Sequence, residues 1–199
     1  QNKQQPKRAI AVLREIVESD PKDLSVRRTL AQELEKENLL EEAAREHLQI
    51  GDLYNERGIG GKAISFYRMA QKHLSDPAPV QEKIAESYLR ENLIDKAVSE
   101  LLGLGAWLQE KGREDDALSA YERALEADPG NLRVLHKVAQ CYEAAERPDR
   151  AASIYRRMVE TYLERGILGK AIEVCQNALK TIPHDTALRE RLAELLTQK

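Results

Sequence analysis

Residues 44–77 read AREHLQIGDLYNERGIGGKAISFYRMAQKHLSDP, and residues 98–131 read VSELLGLGAWLQEKGREDDALSAYERALEADPGN. Apolar residues in these stretches recur every three or four positions, as in Ala63, Phe66 and Tyr67. That spacing is typical of an α-helix with one buried face. No segment alternates between apolar and polar residues for long enough to predict a strand. The sequence therefore predicts an all-α protein.

One offset of 54 residues superimposes the chain on itself several times. The residues that share this offset are mostly small, and they form four series: Ala9, Ala63, Ala117 and Ala171; Ala31, Ala85, Ala139 and Ala193; Ala43, Ala97 and Ala151; Gly58, Gly112 and Gly166. Independent positions that share one period indicate a repeated structural unit.

Glycine, asparagine and proline divide each unit into three helices. Asn38 and Asn92 are placed to end the first helix in a left-handed conformation, and the glycine series is placed to end the second. Proline is expected to close the third, at Pro21, Pro77, Pro129 and Pro183. The predicted helices lie near 6–19, 24–37, 41–57, 61–74, 78–91, 95–111, 115–127, 131–145, 149–165, 169–180 and 184–198. Residues 1–5 are expected to form a polar tail, and residues 6–199 one helical repeat domain.

The small residues carry a resemblance to a known family. Residues 44–77 contain Gly51, Ala63 and Ala70, and residues 98–131 contain Gly105, Ala117 and Ala124, at the spacing of the 34-residue tetratricopeptide motif. The chain resembles the tetratricopeptide repeat family from Pro6 to Lys199. The resemblance implies an αα-superhelix, a solenoid of about eleven antiparallel helices.

The motif windows overlap, which departs from the usual family pattern. Windows begin at Leu24, Ala44, Ala78, Val98, Leu132 and Ala152, separated alternately by 20 and 34 residues. The helices near 41–57, 95–111 and 149–165 therefore each serve two motifs. Because three helices make an odd number, successive units reverse direction, and the family's usual curvature does not follow from the sequence.

The resemblance implies a non-catalytic module that binds a peptide or a folded protein. Family ligands usually contact first-helix side chains, and the matching positions that we expect to bind a partner are Arg28, Arg90, Arg133 and His136. Members that clamp a chaperone's C-terminal carboxylate use lysine followed by asparagine, whereas this chain has Arg28 and Gln32. Similar arrays are common in bacterial motility and envelope assembly systems.

A second hypothesis is a structural spacer or a scaffold that associates with itself. The chain begins without methionine and stops partway through a repeat unit, which suggests a segment of a longer array. Its first and last helices are expected to expose apolar surface that neighbouring repeats would otherwise cover. End-to-end association would follow from such surfaces.

Composition argues against several other functions. The 34 acidic and 31 basic residues are interspersed, which argues against a nucleic-acid partner. No run of apolar residues is long enough to span a bilayer, so we expect a soluble, cytoplasmic protein without membrane insertion. The histidines are not paired at metal-ligand spacing, and Gly60-Gly61-Lys62 lacks the spacing of a phosphate-binding loop. No metal, cofactor or catalytic set is expected.

The remaining distinctive residues are expected to be structural. Cys141 and Cys175 are too far apart for a paired redox or metal motif, and they are expected to be buried. Trp107 is expected to be partly buried between helices, and Phe66 to pack on the core. The seven tyrosines fall on repeat positions that are mostly apolar or aromatic in the other units, so they are expected to be structural.

Overall fold

The computed structural model describes residues 4–198. This part of the chain contains eleven α-helices: α1 (Gln4–Ser19), α2 (Leu24–Lys36), α3 (Leu40–Glu56), α4 (Gly60–Gln71), α5 (Ala78–Arg90), α6 (Ile94–Glu110), α7 (Glu114–Ala127), α8 (Leu132–Ala144), α9 (Pro148–Glu164), α10 (Leu168–Thr181) and α11 (Thr186–Thr197). The predicted all-α fold of eleven sequential, antiparallel helices is confirmed. Of the expected polar tail, residues 1–3 lie outside the described part, and α1 already begins at Gln4.

The described residues fall into two compact units that divide between Glu100 and Leu101. In the first unit each helix from α1 to α5 packs against the next, and in the second unit the same holds from α7 to α11. Short loops place consecutive helices side by side, so each helix buries its apolar stripe against its sequence neighbours.

The core of the first unit has two parts. One cluster joins α1, α2 and α3 through Ile10, Val17, Leu30, Leu34 and Ala43. The second joins α3, α4 and α5 around the following residues: Ile50, Tyr54, Ala63, Tyr67, Val80 and Ile84. Phe66 is partly buried and packs against this second cluster, as predicted.

Alanine and glycine allow the helices to approach closely. Ala63, Ala117 and Ala171 have no exposed surface. A Cβ atom added at Gly51 would overlap the Tyr67 ring, and one added at Gly105 would overlap the Tyr121 ring. Both tyrosines are fully buried, so their rings fill the space that the two glycines leave.

Residues in the left-handed conformation follow α2, α3, α5, α6, α8 and α9. Asn38 and Asn92 have φ values of 60° and 57°, and Gly58, Gly112 and Gly166 each have 70°, which confirms the predicted turn positions. Behind Asn38, the amide of Leu39 donates to the carbonyl of Leu34 at 2.8 Å, the bond that closes a helix C-terminus. Glu146 also has a positive φ, 54°, although glutamate gives no such signal in the sequence.

The end of α4 departs from the prediction. α4 ends at Gln71, whereas the sequence pattern placed its end near residue 74 and its closing proline at Pro77. The amide of His73 donates to the carbonyl of Ala70 in a tighter turn, so the helix is already closed before the proline. The proline instead precedes α5, where the side chain of Asp76 accepts from the amide of Ala78 at 2.9 Å.

Candidate interaction surface

The four predicted partner-binding residues are all exposed, and they lie on α2, α5 and α8. Arg28 lies on α2 and Arg90 on α5 in the first unit, while Arg133 and His136 lie on α8 in the second. Asp23 and Asn131 cap α2 and α8 by accepting backbone amides of the first turn, which fixes where these exposed faces begin. The binding role of the four residues stays a prediction.

Arg28 lies against aromatic rings contributed by the next two helices. Its guanidinium donates to the Tyr54 hydroxyl, and its Cζ atom lies 5.6 Å from the Tyr54 ring centre and 5.4 Å from that of Phe66. The two rings are stacked, 5.6 Å apart and inclined by 13°. The Lys62 ammonium lies 5.4 Å from the Tyr54 ring centre. These four residues form what we call the Tyr54 cluster.

His47 lies behind the Tyr54 cluster and is 4% exposed. Its ring centre lies 5.9 Å from that of Phe66, and its Nε2 lies 2.8 Å from a carboxylate oxygen of Glu35. Its Nδ1 has no hydrogen-bond partner in the described residues. Since the carboxylate accepts from Nε2, this bond links α2 to α3 beside the cluster.

Buried tyrosines donate to polar side chains of neighbouring helices. Tyr67 donates to Asp52 at 2.7 Å, and Lys83 binds the same carboxylate oxygen at 2.8 Å. Burial, followed by the bond to Asp52, raises the pKa of Tyr67 well above its ordinary value. Burial also raises the pKa of Tyr121 to about 12. These hydroxyls stay protonated at neutral pH and serve as structural donors.

The cysteines and the tryptophan are structural, as expected from the sequence. Cys141 and Cys175 are both buried and unpaired, and burial raises the pKa of each thiol. Trp107 is half-buried, with Lys111 5.6 Å from its ring centre. A raised pKa favours the neutral thiol, which is a poorer nucleophile than the thiolate.

The part of the chain that the structure describes has neither a metal-binding group of side chains nor a membrane-spanning helix. Between residues 4 and 198, no group of three or more His, Cys, Asp or Glu side chains could hold a metal ion. No helix in the same range is both long enough and apolar enough to cross a membrane.

Sequence reasoning missed the Tyr54 cluster. It assigned Tyr54 and Phe66 to the core and considered Lys62 only as part of a glycine-rich loop. No local sequence pattern reveals the cluster, because its residues come from three helices. Arg28 and Phe66 are 38 positions apart in the chain. The motif position of Arg28 was the only indication available in the sequence.

Comparison with known proteins adds family information. Residues 108–166 match the family "Tetratricopeptide repeat". The general transcriptional corepressor trfA of Dictyostelium discoideum is 29% identical over 36% of this chain and 5% of its own length. The aspartyl/asparaginyl beta-hydroxylase of Mus musculus is 28% identical over 48% of this chain and 13% of its own. The chain thus spans only a small part of either relative.

Two solved structures align with most of this chain at low sequence identity. The P58(IPK) TPR domain is 22% identical, with 95% of this chain and 66% of that one covered and a TM-score of 0.35. BtubC from P. vanneervenii is 17% identical, with 96% and 80% covered and a TM-score of 0.37. Residues 108–166 therefore match a tetratricopeptide repeat, within a described chain of sequentially packed, antiparallel helices.

Proposed function

We propose that the chain is a non-catalytic module that binds a peptide or folded protein along the exposed side chains of its first helices. Tetratricopeptide repeats generally mediate protein–protein interactions, and Arg28, Arg90, Arg133 and His136 are exposed at first-helix positions. This exposure is the observation that supports the proposal. Repeat proteins offer extended surfaces along which many modest contacts can be distributed.

We also propose a 54-residue, three-helix period for the array that spans residues 6–199. The helix bounds support it, since α2, α5 and α8 begin at residues 24, 78 and 132, and α3, α6 and α9 begin at 40, 94 and 148. The left-handed residues Asn38, Asn92 and Glu146 follow the same spacing. A setting in a bacterial motility or envelope assembly system is part of the proposal and rests on the sequence resemblance.

The function can be tested by affinity capture followed by quantitative mass spectrometry. The variant Arg28→Ala, Arg90→Ala, Arg133→Ala, His136→Ala should lose proteins that the wild type captures from its native cell. Each exposed contact contributes roughly 0.2–1 kcal/mol, so single changes should weaken binding slightly and the combination strongly. Increasing salt should weaken the wild-type complex, since exposed charges are screened.

A matched control removes the same residue types elsewhere. Lys72→Ala, Arg147→Ala, Arg157→Ala, His184→Ala also removes three cations and one histidine, all exposed. It should keep the captured partner. If the first variant melts like the wild type and still binds the partner with full affinity, the interface lies elsewhere.

Self-association through the terminal helices is the second candidate function. Val12 and Ile16 on α1 are 53% and 41% exposed, and Leu196 on α11 is 49% exposed. Sedimentation should show mass rising with concentration, and Ile16→Lys, Leu196→Lys should abolish the rise. Met69→Lys, at a residue 38% exposed on α4, is the control that should not. A single monomeric species at every concentration would exclude this function.

A further inference from the structure

The charged residues of α2, α3 and α4 pair almost completely. α4 contains no acidic residue, and every carboxylate of α2 and α3 has a basic partner. The pairs are Glu33 with Lys36, Glu35 with His47, Glu41 with Arg45, Glu42 with Arg14, Glu46 with Arg27, Asp52 with Lys83, and Glu56 with Lys22. The carboxylates of these helices are therefore already engaged.

Two cations of the same three helices have no carboxylate partner in the described residues, Arg28 and Lys62. The other basic side chains of α2, α3 and α4 are all paired, including Arg68 with Glu100. Both cations nevertheless lie beside the same ring, with the Arg28 Cζ atom 5.6 Å and the Lys62 ammonium 5.4 Å from the centre of Tyr54. The uncompensated positive charge of this region is thus concentrated at the Tyr54 cluster.

The geometry of the Tyr54 cluster suits a carboxylate. Arg28 uses one terminal nitrogen to bind the Tyr54 hydroxyl, and its Nε and other terminal nitrogen have no partner in the described residues. A guanidinium presents its donors as a planar fork that matches a carboxylate, and the Lys62 ammonium adds a second charge. Aromatic rings attract cations, but they do not neutralise two of them. The half-buried Phe66 ring offers apolar surface beside the charges.

The Tyr54 cluster is not part of the repeated framework. One 54-residue step along the chain replaces Arg28, Tyr54, Lys62 and Phe66 by Glu82, Leu108, Asp116 and Ala120. Both cations become acidic and both rings are lost. Ala63 keeps its identity over the same step, at Ala117, whereas both charges of the cluster reverse sign, and this reversal indicates a local role.

We propose that Arg28 and Lys62, supported by the Tyr54 and Phe66 rings, bind an aspartate or glutamate side chain in an acidic segment of a partner protein. The proposal rests on the proposed interaction function and names the chemistry of the partner at this point. It also adds Lys62, which lies on α4, outside the first helices.

The test uses fluorescence anisotropy of a short fluorescein-labelled peptide of alternating aspartate and glutamate. The wild-type chain should bind this peptide at low salt and should not bind the same peptide with asparagine and glutamine. Lys62→Gln should weaken binding about two- to fivefold, the effect typical of one exposed ion pair. Arg28→Gln together with Lys62→Gln should weaken it about tenfold or more.

The control is Lys96→Gln together with Lys111→Gln. Lys96 and Lys111 each lie 5.6 Å from a single aromatic ring, that of Tyr88 or Trp107, and the net charge change is the same. This variant should bind the acidic peptide within about twofold of the wild type, since each ring there has only one cation. Equal losses in both double variants, or no binding by the wild type, would overturn the proposal.

The two proposals can fail separately, because Lys62 belongs only to this one. If Arg90→Ala, Arg133→Ala, His136→Ala abolishes capture of a native partner while Lys62→Gln changes nothing, the carboxylate site is wrong and the interaction function stands. If Lys62→Gln weakens binding of the acidic peptide while the Arg90→Ala, Arg133→Ala, His136→Ala variant captures the native partner as the wild type does, the carboxylate site stands and the first-helix surface is wrong.

Discussion

At the scale of single residues, α3 with α4 and α6 with α7 each combine a glycine on one helix with a large ring on the other. Gly51 lies against the Tyr67 ring and Gly105 against the Tyr121 ring. The residues that follow Gly105 and Tyr121 by 54 positions are Val159 and Cys175, both buried. In α9 and α10 two buried residues of intermediate size thus stand at the positions where α6 and α7 have a glycine and a large ring, as close packing at constant volume favours.

This complementarity predicts opposite effects for two glycines of α6. Gly105→Ala should destabilise the protein by about 1–3 kcal/mol, because the new methyl group would overlap the fully buried Tyr121 ring. Gly103→Ala should stabilise it by up to about 1 kcal/mol, because a Cβ there meets nothing within 4 Å and alanine favours the helix. Urea unfolding of the two variants measures both changes.

Gly103→Ala is the control for Gly105→Ala, since both substitutions add one methyl group to the same helix. If both substitutions stabilise the protein, the Tyr121 ring is free to move and the close contact does not constrain the sequence.

At the scale of helices, the turn that follows α8 is strained. Glu146 adopts φ 54°, a conformation that costs a residue with a Cβ roughly 1–2 kcal/mol and that glycine adopts freely. Its counterparts after α2 and α5 are asparagines, which tolerate this region better. The chain keeps the turn here because the amide of Arg147 donates to the carbonyl of Tyr142 at 2.9 Å and closes the helix.

We therefore expect Glu146→Gly to raise the stability by about 1 kcal/mol. The reverse change at an equivalent turn, Gly58→Ala, should lower it by about 1 kcal/mol, because Gly58 has φ 70°. Thermal unfolding followed by circular dichroism reports both. A lower melting temperature for Glu146→Gly would mean that the glutamate side chain contributes more than its backbone conformation costs.

Local chemistry explains how much of the fold could be predicted. Glycine, asparagine and the spacing of apolar residues act within a few positions, so they placed all eleven helices, with α3 predicted at 41–57 and found at Leu40–Glu56. The left-handed turn at Glu146 was missed because hydrogen bonds of the completed helix, not the residue type, impose it. The early end of α4 was missed for the same reason.

The candidate site was less predictable, because it depends on which side chains meet across helices. The sequence pattern marked Arg28 as exposed on a first helix, and the structure agrees. It could not show that Lys62 reaches the same ring, or that the carboxylates of α2 and α3 are paired elsewhere. Such facts require the packing of three helices.

At the scale of the whole molecule, the far-ultraviolet circular-dichroism spectrum should be dominated by helix and should not change when EDTA is added. Apolar burial between helices accounts for the fold, and among residues 4–198 no set of side chains is placed to bind a metal ion. Spectra and melting curves with and without the chelator make the comparison. A large loss of helix with EDTA would reveal a structural ion and contradict this account.

Recombination between helices of this chain, natural or engineered, is limited by how side-chain sizes match across the helix contacts. Gly105 matches Tyr121 in α6 and α7, and the equivalent positions in α9 and α10 are Val159 and Cys175. A crossover that joins α9 to α7 would set valine against the Tyr121 ring, where a single methyl group already overlaps. Cutting before α3, α6 or α9 keeps the matched helices together. The segments that can be exchanged whole are therefore the matched pairs α3 with α4, α6 with α7 and α9 with α10.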